Sequence, residues 1–81
     1  MIKNKYYYPT DGYFTINVHP NYSDRGSTIP NGSSLYLKGS NLSLSATPAS
    51  GYNFIKWNDE NTNTSRTVIV TSDKEYVAIF A

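Results

Sequence analysis

The sequence predicts an all-β domain, and three observations lead to this prediction. Apolar and polar residues alternate with a period of two in segments that recur roughly every ten residues, and no window has the 3.6-residue apolar repeat of a helix. Asparagine, serine and threonine together occupy 27 of the 81 positions, and these residues favour strands and turns. Glycine and proline separate the alternating segments. We therefore expect one small antiparallel domain of about six to seven short strands with no clear helix.

The first alternating segment is YFTINVH. It has Phe14, Ile16 and Val18 on one face, as a half-buried strand requires, and Pro20 ends it. The turn sequences SDRG and IPNG follow, so residues 27–29 between them form at most a short strand.

The next segment, SSLYLKG, has Leu35 and Leu37 on one face and Tyr36 on the other, and it ends at Gly39. The two leucines are the more apolar pair in this segment. We therefore expect Tyr36 to lie on a face that points away from the core.

The rest of the chain is expected to form two hairpins. NLSLSAT is linked to YNFIKW by a PASG connection, and RTVIV is linked to KEYVAIFA around a polar turn. Between the hairpins, NDENTNTS is too polar for anything but a loop. The expected core positions are Leu42, Leu44, Ala46, Tyr76, Ala78 and Phe80.

The length and charge of the chain limit its organisation and its partners. We expect a single module at residues 12–81, preceded by a leader or linker at residues 1–11. The leader has no apolar segment typical of a signal peptide, and no later segment is long enough to span a membrane. A net charge of +1 is far from that of proteins that bind a phosphate backbone, so we expect no nucleic-acid partner.

The sequence contains no catalytic motif. His19 is the only histidine, cysteine is absent, and no serine lies in a G-x-S-x-G motif, so a nucleophile and a base cannot be paired. Asp59, Asn61 and Asn63 match the first three ligand positions of an EF-hand calcium loop, but the glycine and the bidentate glutamate of that loop are missing. We therefore expect no enzyme, no cofactor and no metal, with an irregular weak calcium site as the less favoured alternative.

Three aromatic residues lie close together in SGYNFIKWND. Tyr52 and Phe54 share one face of a strand, and we interpret them as core residues. Alternation places Trp57 on the opposite face of the strand from Tyr52 and Phe54. Three placements are therefore open: over the second face, as a cap on the core at a β-bulge, or partly exposed with its N–H available to a ligand.

The order of these motifs resembles the divergent internalin B-repeat family, in which a glycine, L-x-A-x-P, G-Y-x-F-x-x-W and a closing V-x-A-x-F follow one another. The resemblance covers about residues 13–81, and Tyr76 stands where the family has an aliphatic residue. The matching positions are Gly39, Leu44, Ala46, Pro48, Gly51, Tyr52, Phe54, Trp57, Ala78 and Phe80. The resemblance implies a small β-rich module of bacterial surface and secreted proteins, and relatives of the internalin repeat proper are β-grasp-like.

We accordingly expect a non-enzymatic structural or interaction module that acts as a spacer or adhesion unit. We expect it outside the cell or at its surface, with any signal or anchor outside this chain and with neighbouring modules as partners. The alternative is a module that binds host or cell-wall glycans or a receptor protein through exposed aromatic side chains. The residues expected to contact a ligand in that case are Tyr6, Tyr7, Tyr8, Tyr36 and Trp57.

Overall fold

A computed structural model describes residues 12–81, which form seven β-strands and no helix. The strands are β1 (Tyr13–Pro20), β2 (Gly26–Ile29), β3 (Gly32–Leu37), β4 (Asn41–Pro48), β5 (Phe54–Trp57), β6 (Ser65–Ile69) and β7 (Lys74–Phe80). The predicted all-β fold is therefore confirmed. No helix packs on a sheet in these residues, so the domain is a β-sandwich and not β-grasp-like.

The strands form two sheets, and successive strands alternate between them. One sheet has four strands in the order β3-β1-β7-β5, and the other has three in the order β2-β4-β6. Every connection from β1 to β7 therefore crosses from one sheet to the other. The β1–β7 pair is parallel, whereas the other pairs are antiparallel as predicted.

The two predicted hairpins do not form. β4 pairs with β2 and β6, and β5 pairs with β7 in the other sheet. β6 and β7 are likewise in different sheets. A hairpin joins neighbouring strands of one sheet and turns both apolar faces towards the core. A connection between strands of two facing sheets also turns both apolar faces towards that core, so the two arrangements show the same alternation of residues.

The core lies between the two sheets and is built from both. Seven buried core residues were predicted from alternation: Ile16, Val18, Leu44, Ala46, Tyr76, Ala78 and Phe80. Phe14, Leu42 and Phe54 are partly buried and pack against this cluster. Trp57, Val68 and Val70 complete its buried part.

The face of strand β3 that points to the core is the opposite of the one predicted. Tyr36 is half-buried and packs against the core, whereas Leu35 and Leu37 are exposed on the outer face. The register with β1 explains this result, because Tyr36 lies opposite Phe14 and side chains opposite each other point to the same face. The more apolar residues of β3 are therefore its outer ones.

Candidate functional site

Trp57 is fully buried, and a β-bulge accounts for its position. The register of β5 against β7 shifts between Phe54 and Lys56, so one extra residue is inserted and Trp57 reaches the same face as Phe54. The indole N–H donates to the carbonyl oxygen of Asn63 at 2.7 Å, and the ring meets the ring of Phe54 edge to face. Of the three placements left open, this is the one at a bulge, and with 0% exposure the ring offers no surface to a ligand.

An ion pair holds the loop of residues 58–64 against Trp57. Arg66 donates to both carboxylate oxygens of Asp59 at 2.7 and 2.8 Å, and its guanidinium lies 5.2 Å from the ring centroid of Tyr76. Hydrogen bonding from Arg66 holds the pKa of the Asp59 carboxyl below its usual range. The carboxylate that would begin a calcium site is thus bonded to Arg66.

The histidine lies at the end of β1 on the outer face of its sheet. His19 Nε2 is 2.7 Å from the carboxylate of Glu75, and Nδ1 is 2.8 Å from the carbonyl oxygen of Pro20. The hydrogen bond with Glu75 raises the pKa of His19 above its ordinary value. Both ring nitrogens therefore have partners, and within residues 12–81 no group of three or more His, Asp or Glu side chains could hold a metal.

A partly exposed aromatic surface lies beside the end of β7, and we name it the Arg25 cluster: Tyr22, Arg25 and Tyr52. The guanidinium of Arg25 lies 4.3 Å from the ring centroid of Tyr22 and 5.6 Å from that of Tyr52. Arg25 also donates to the carbonyl oxygen of Phe80 at 3.3 Å, which fixes its position. Tyr22 is 57% exposed and Arg25 beside it is half-buried, and arginine and tyrosine are both frequent in binding hot spots.

The structure does not bring the predicted ligand-contacting aromatics together. Tyr6, Tyr7 and Tyr8 lie outside the described residues, Tyr36 packs on the core and Trp57 is buried. The Arg25 cluster was not predicted as a site. Tyr22 directly precedes the predicted turn SDRG and Arg25 lies within it, and this spacing was the one sequence signal for their contact.

The first and last strands set the direction of the chain through the domain. β1 and β7 lie side by side and parallel in the middle of their sheet, so the start of β1 and the end of β7 are at opposite ends of it. Asn21 extends this pairing beyond Pro20, since its backbone N–H donates to the carbonyl oxygen of Ala78 at 2.8 Å. A chain that enters at β1 and leaves at β7 crosses the full length of the sheet.

Comparison with known proteins identifies one family. The model of the divergent InlB B-repeat domain matches residues 14–81. No curated protein and no solved structure is significantly similar to the chain. The part of the chain that the structure describes has no helix with the length and apolar character needed to cross a membrane.

Proposed function

The chain belongs to the divergent InlB B-repeat family, and from this membership we propose that it is a non-enzymatic spacer module that carries tension between domains of a bacterial surface or secreted protein. Its partners are then the neighbouring modules of the same protein, and it works outside the cell or at its surface. The family is one of repeat modules, which fits a role alongside other modules.

The parallel pairing of β1 with β7 is the observation that carries this proposal. Tension applied at the start of β1 and the end of β7 pulls the two strands in opposite directions along their lengths. The hydrogen bonds between the strands are then loaded together, and so are the core contacts of Val18, Tyr76 and Ala78. Resistance to force depends on the unfolding rate, and a barrier that requires many contacts to break at once makes that rate low.

Single-molecule force spectroscopy tests the proposal by comparing two pulling directions. In the first, handles at the two chain ends load β1 against β7. In the second, handles at the N-terminus and at Lys38→Cys peel β3 from β1, because the Lys38 N–H donates to the carbonyl oxygen of Gly12 at the end of that pair. The chain has no cysteine, so the introduced thiol is unique.

We expect the end-to-end direction to need a several-fold higher unfolding force than the peeling direction. Peeling breaks the ladder one bonded pair at a time, so each step needs little force. Equal unfolding forces in the two directions would contradict a tension-bearing role, because the β1–β7 pair would then give no directional resistance.

The Arg25 cluster supports a second candidate function, the binding of a glycan or a receptor protein. Its exposed Tyr22 ring, with the guanidinium of Arg25 beside it, could stack on a sugar ring or fill a pocket of a partner. NMR titration with a panel of soluble glycans should then shift the signals of Tyr22 and Arg25, and Tyr22→Ser should abolish these shifts. Tyr13→Ser is the control, since Tyr13 is exposed on another face; shifts that are equally lost in both variants, or absent in the parent chain, would refute the idea.

A further inference from the structure

Of the four edge strands of the two sheets, three carry features that hinder pairing with another strand. β5 has four residues, a bulge and Lys56. β2 has four residues and is followed by Pro30. β6 carries Arg66, whose side chain points inward to Tyr76. Short strands, bulges, proline and inward-pointing charges are the devices by which natural proteins protect sheet edges.

β3 is the edge strand without such protection in the described part of the chain. Its six residues include no charge, no proline and no bulge. The Lys38 N–H donates to the carbonyl oxygen of Gly12, and bonded pairs alternate along an antiparallel ladder, so Ser34 and Tyr36 direct their backbone groups to β1. The backbone N–H and C=O groups of Ser33 and Leu35 and the N–H of Leu37 therefore point to the open edge, whereas the Leu37 carbonyl oxygen accepts from the backbone N–H and the hydroxyl of Ser40.

An apolar patch borders this open edge on the outer face of the sheet. Leu35 is 50% exposed, and Leu37 and the Tyr13 opposite it are exposed as well. Exposed leucines on an uncharged edge strand combine two features of a pairing surface: unpaired backbone groups, and side chains that gain from burial.

We propose that β3 pairs antiparallel with β3 of a second copy of this chain, about a two-fold axis at Leu35. A two-fold axis perpendicular to the sheet keeps outer faces on the same side, so Leu35 lies opposite the second copy's Leu35, and Ser33 lies opposite the second copy's Leu37. Leu35 then exchanges both of its backbone hydrogen bonds with Leu35 of the second copy, and the Leu37 N–H donates to the carbonyl oxygen of the second copy's Ser33. The absence of charge lets identical strands approach without repulsion, and the leucines of both copies form one continuous patch.

This pairing goes beyond the spacer role, because it joins two chains side by side. Both β1 and β7 remain in the interior of a continuous sheet that runs through two domains. Their ends stay free, since the paired edge lies on the far side of β1 from β7.

Sedimentation equilibrium of the complete chain at rising concentration tests the proposal, with Leu35→Lys as the disrupting variant and Ile69→Lys as the matched control. Ile69 is 55% exposed at the edge of the other sheet, so both variants add one charge at a half-exposed edge position. We expect the apparent mass of the parent chain and of Ile69→Lys to rise from 9.1 kDa towards twice that value, and the mass of Leu35→Lys to stay at 9.1 kDa with unchanged circular dichroism. A parent chain that stays monomeric up to millimolar concentration, or equal behaviour of the two variants, would overturn the proposal.

Amide hydrogen exchange separates strand pairing from simple contact between the apolar patches. Strand pairing should slow exchange at Leu35 and Leu37 as the concentration rises, and should leave Ser34 and Tyr36 unchanged because these amides already face β1. If the chain associates but exchange at the amides of Leu35 and Leu37 does not depend on concentration, the copies meet through their faces and the proposed pairing is wrong.

Discussion

At the scale of residues, two asparagine side chains act as peptide groups towards β7. Asn21 accepts a hydrogen bond from the Phe80 N–H at 3.1 Å and donates to the Phe80 carbonyl oxygen at 3.2 Å. Asn58 accepts from the Val77 N–H at 3.0 Å and donates to the Glu75 carbonyl oxygen at 2.9 Å. Each residue follows a strand that flanks β7, so the side-chain amide continues the ladder after the strand has ended. Such roles explain part of the high asparagine content.

We predict that Asn21→Ala lowers the free energy of unfolding by about 1–3 kcal/mol, because the Phe80 N–H loses its partner in a partly buried place and, among the described residues, the Phe80 carbonyl oxygen keeps only Arg25. Urea denaturation followed by Trp57 fluorescence measures this loss. Asn41→Ala is the control, since Asn41 is exposed at the start of β4 and its substitution should change little. Equal losses in both variants would mean that the bonds to Phe80 contribute nothing specific.

The Asp59–Arg66 pair predicts how stability depends on pH in acid. Because Arg66 lowers the pKa of Asp59 in the folded state, the pair stabilises the fold above the unfolded-state pKa of about 3.9, and this contribution is lost as the pH falls through the lower folded-state pKa. The difference in unfolding free energy between the parent chain and Asp59→Asn should therefore be present at pH 7 and shrink below about pH 4. Denaturation at a series of pH values measures it.

Asp24→Asn serves as the control for the loss of a carboxylate, since Asp24 is exposed in the turn between β1 and β2. Its unfolding free energy should follow that of the parent chain through the acid range. A difference for Asp59→Asn that does not change between pH 7 and pH 3 would show that the charge of Asp59 is irrelevant to the loop.

At the scale of elements, the sequence predicted which residues of most strands face the core but did not predict which strands pair. Alternation shows which residues of a strand face the core, but not which strand lies next to it. A hairpin and a connection between the two sheets give the same alternation, so the β4–β5 and β6–β7 connections were wrongly predicted as hairpins. Two local departures were also invisible to alternation. The bulge in β5 moved Trp57 to the core face, and the register with β1 put Tyr36 on the core side although its leucine neighbours are more apolar.

A close approach between the two sheets predicts a position where only glycine fits. A Cβ atom built on Gly26 in β2 would lie 2.5 Å from Cζ of Phe80, and that ring is fully buried and cannot move aside easily. Gly26→Ala should therefore lower the free energy of unfolding by about 1–3 kcal/mol or more through overpacking, as measured by urea denaturation.

Gly12→Ala is the matched substitution, because among residues 12–81 its Cβ atom would meet only Leu37, at an ordinary 4.0 Å. It should leave stability nearly unchanged. A Gly26→Ala variant as stable as Gly12→Ala would mean that the sheets can separate at this edge without cost, and that the contact with Phe80 does not hold β2 in position.

At the scale of the whole molecule, every pairing of strands joins distant parts of the chain. Among paired strand residues the nearest in sequence are Val18 and Gly32, which are 14 positions apart, and the β1–β7 pairing joins Ile16 to Lys74. No local hairpin exists in the described residues to start the sheet. The cost in chain entropy of closing these loops must be met before the contacts that they bring together can stabilise the chain.

We therefore predict slow folding for a domain of this size, with relaxation on the order of milliseconds to seconds. Trp57 is the only tryptophan and is fully buried, so stopped-flow fluorescence after dilution from urea reports directly on core formation. The folding and unfolding limbs should give the same stability as equilibrium denaturation if the domain folds in two states. Refolding complete within microseconds would contradict the prediction, because it would require local pairing that the alternation of strands between the sheets does not provide.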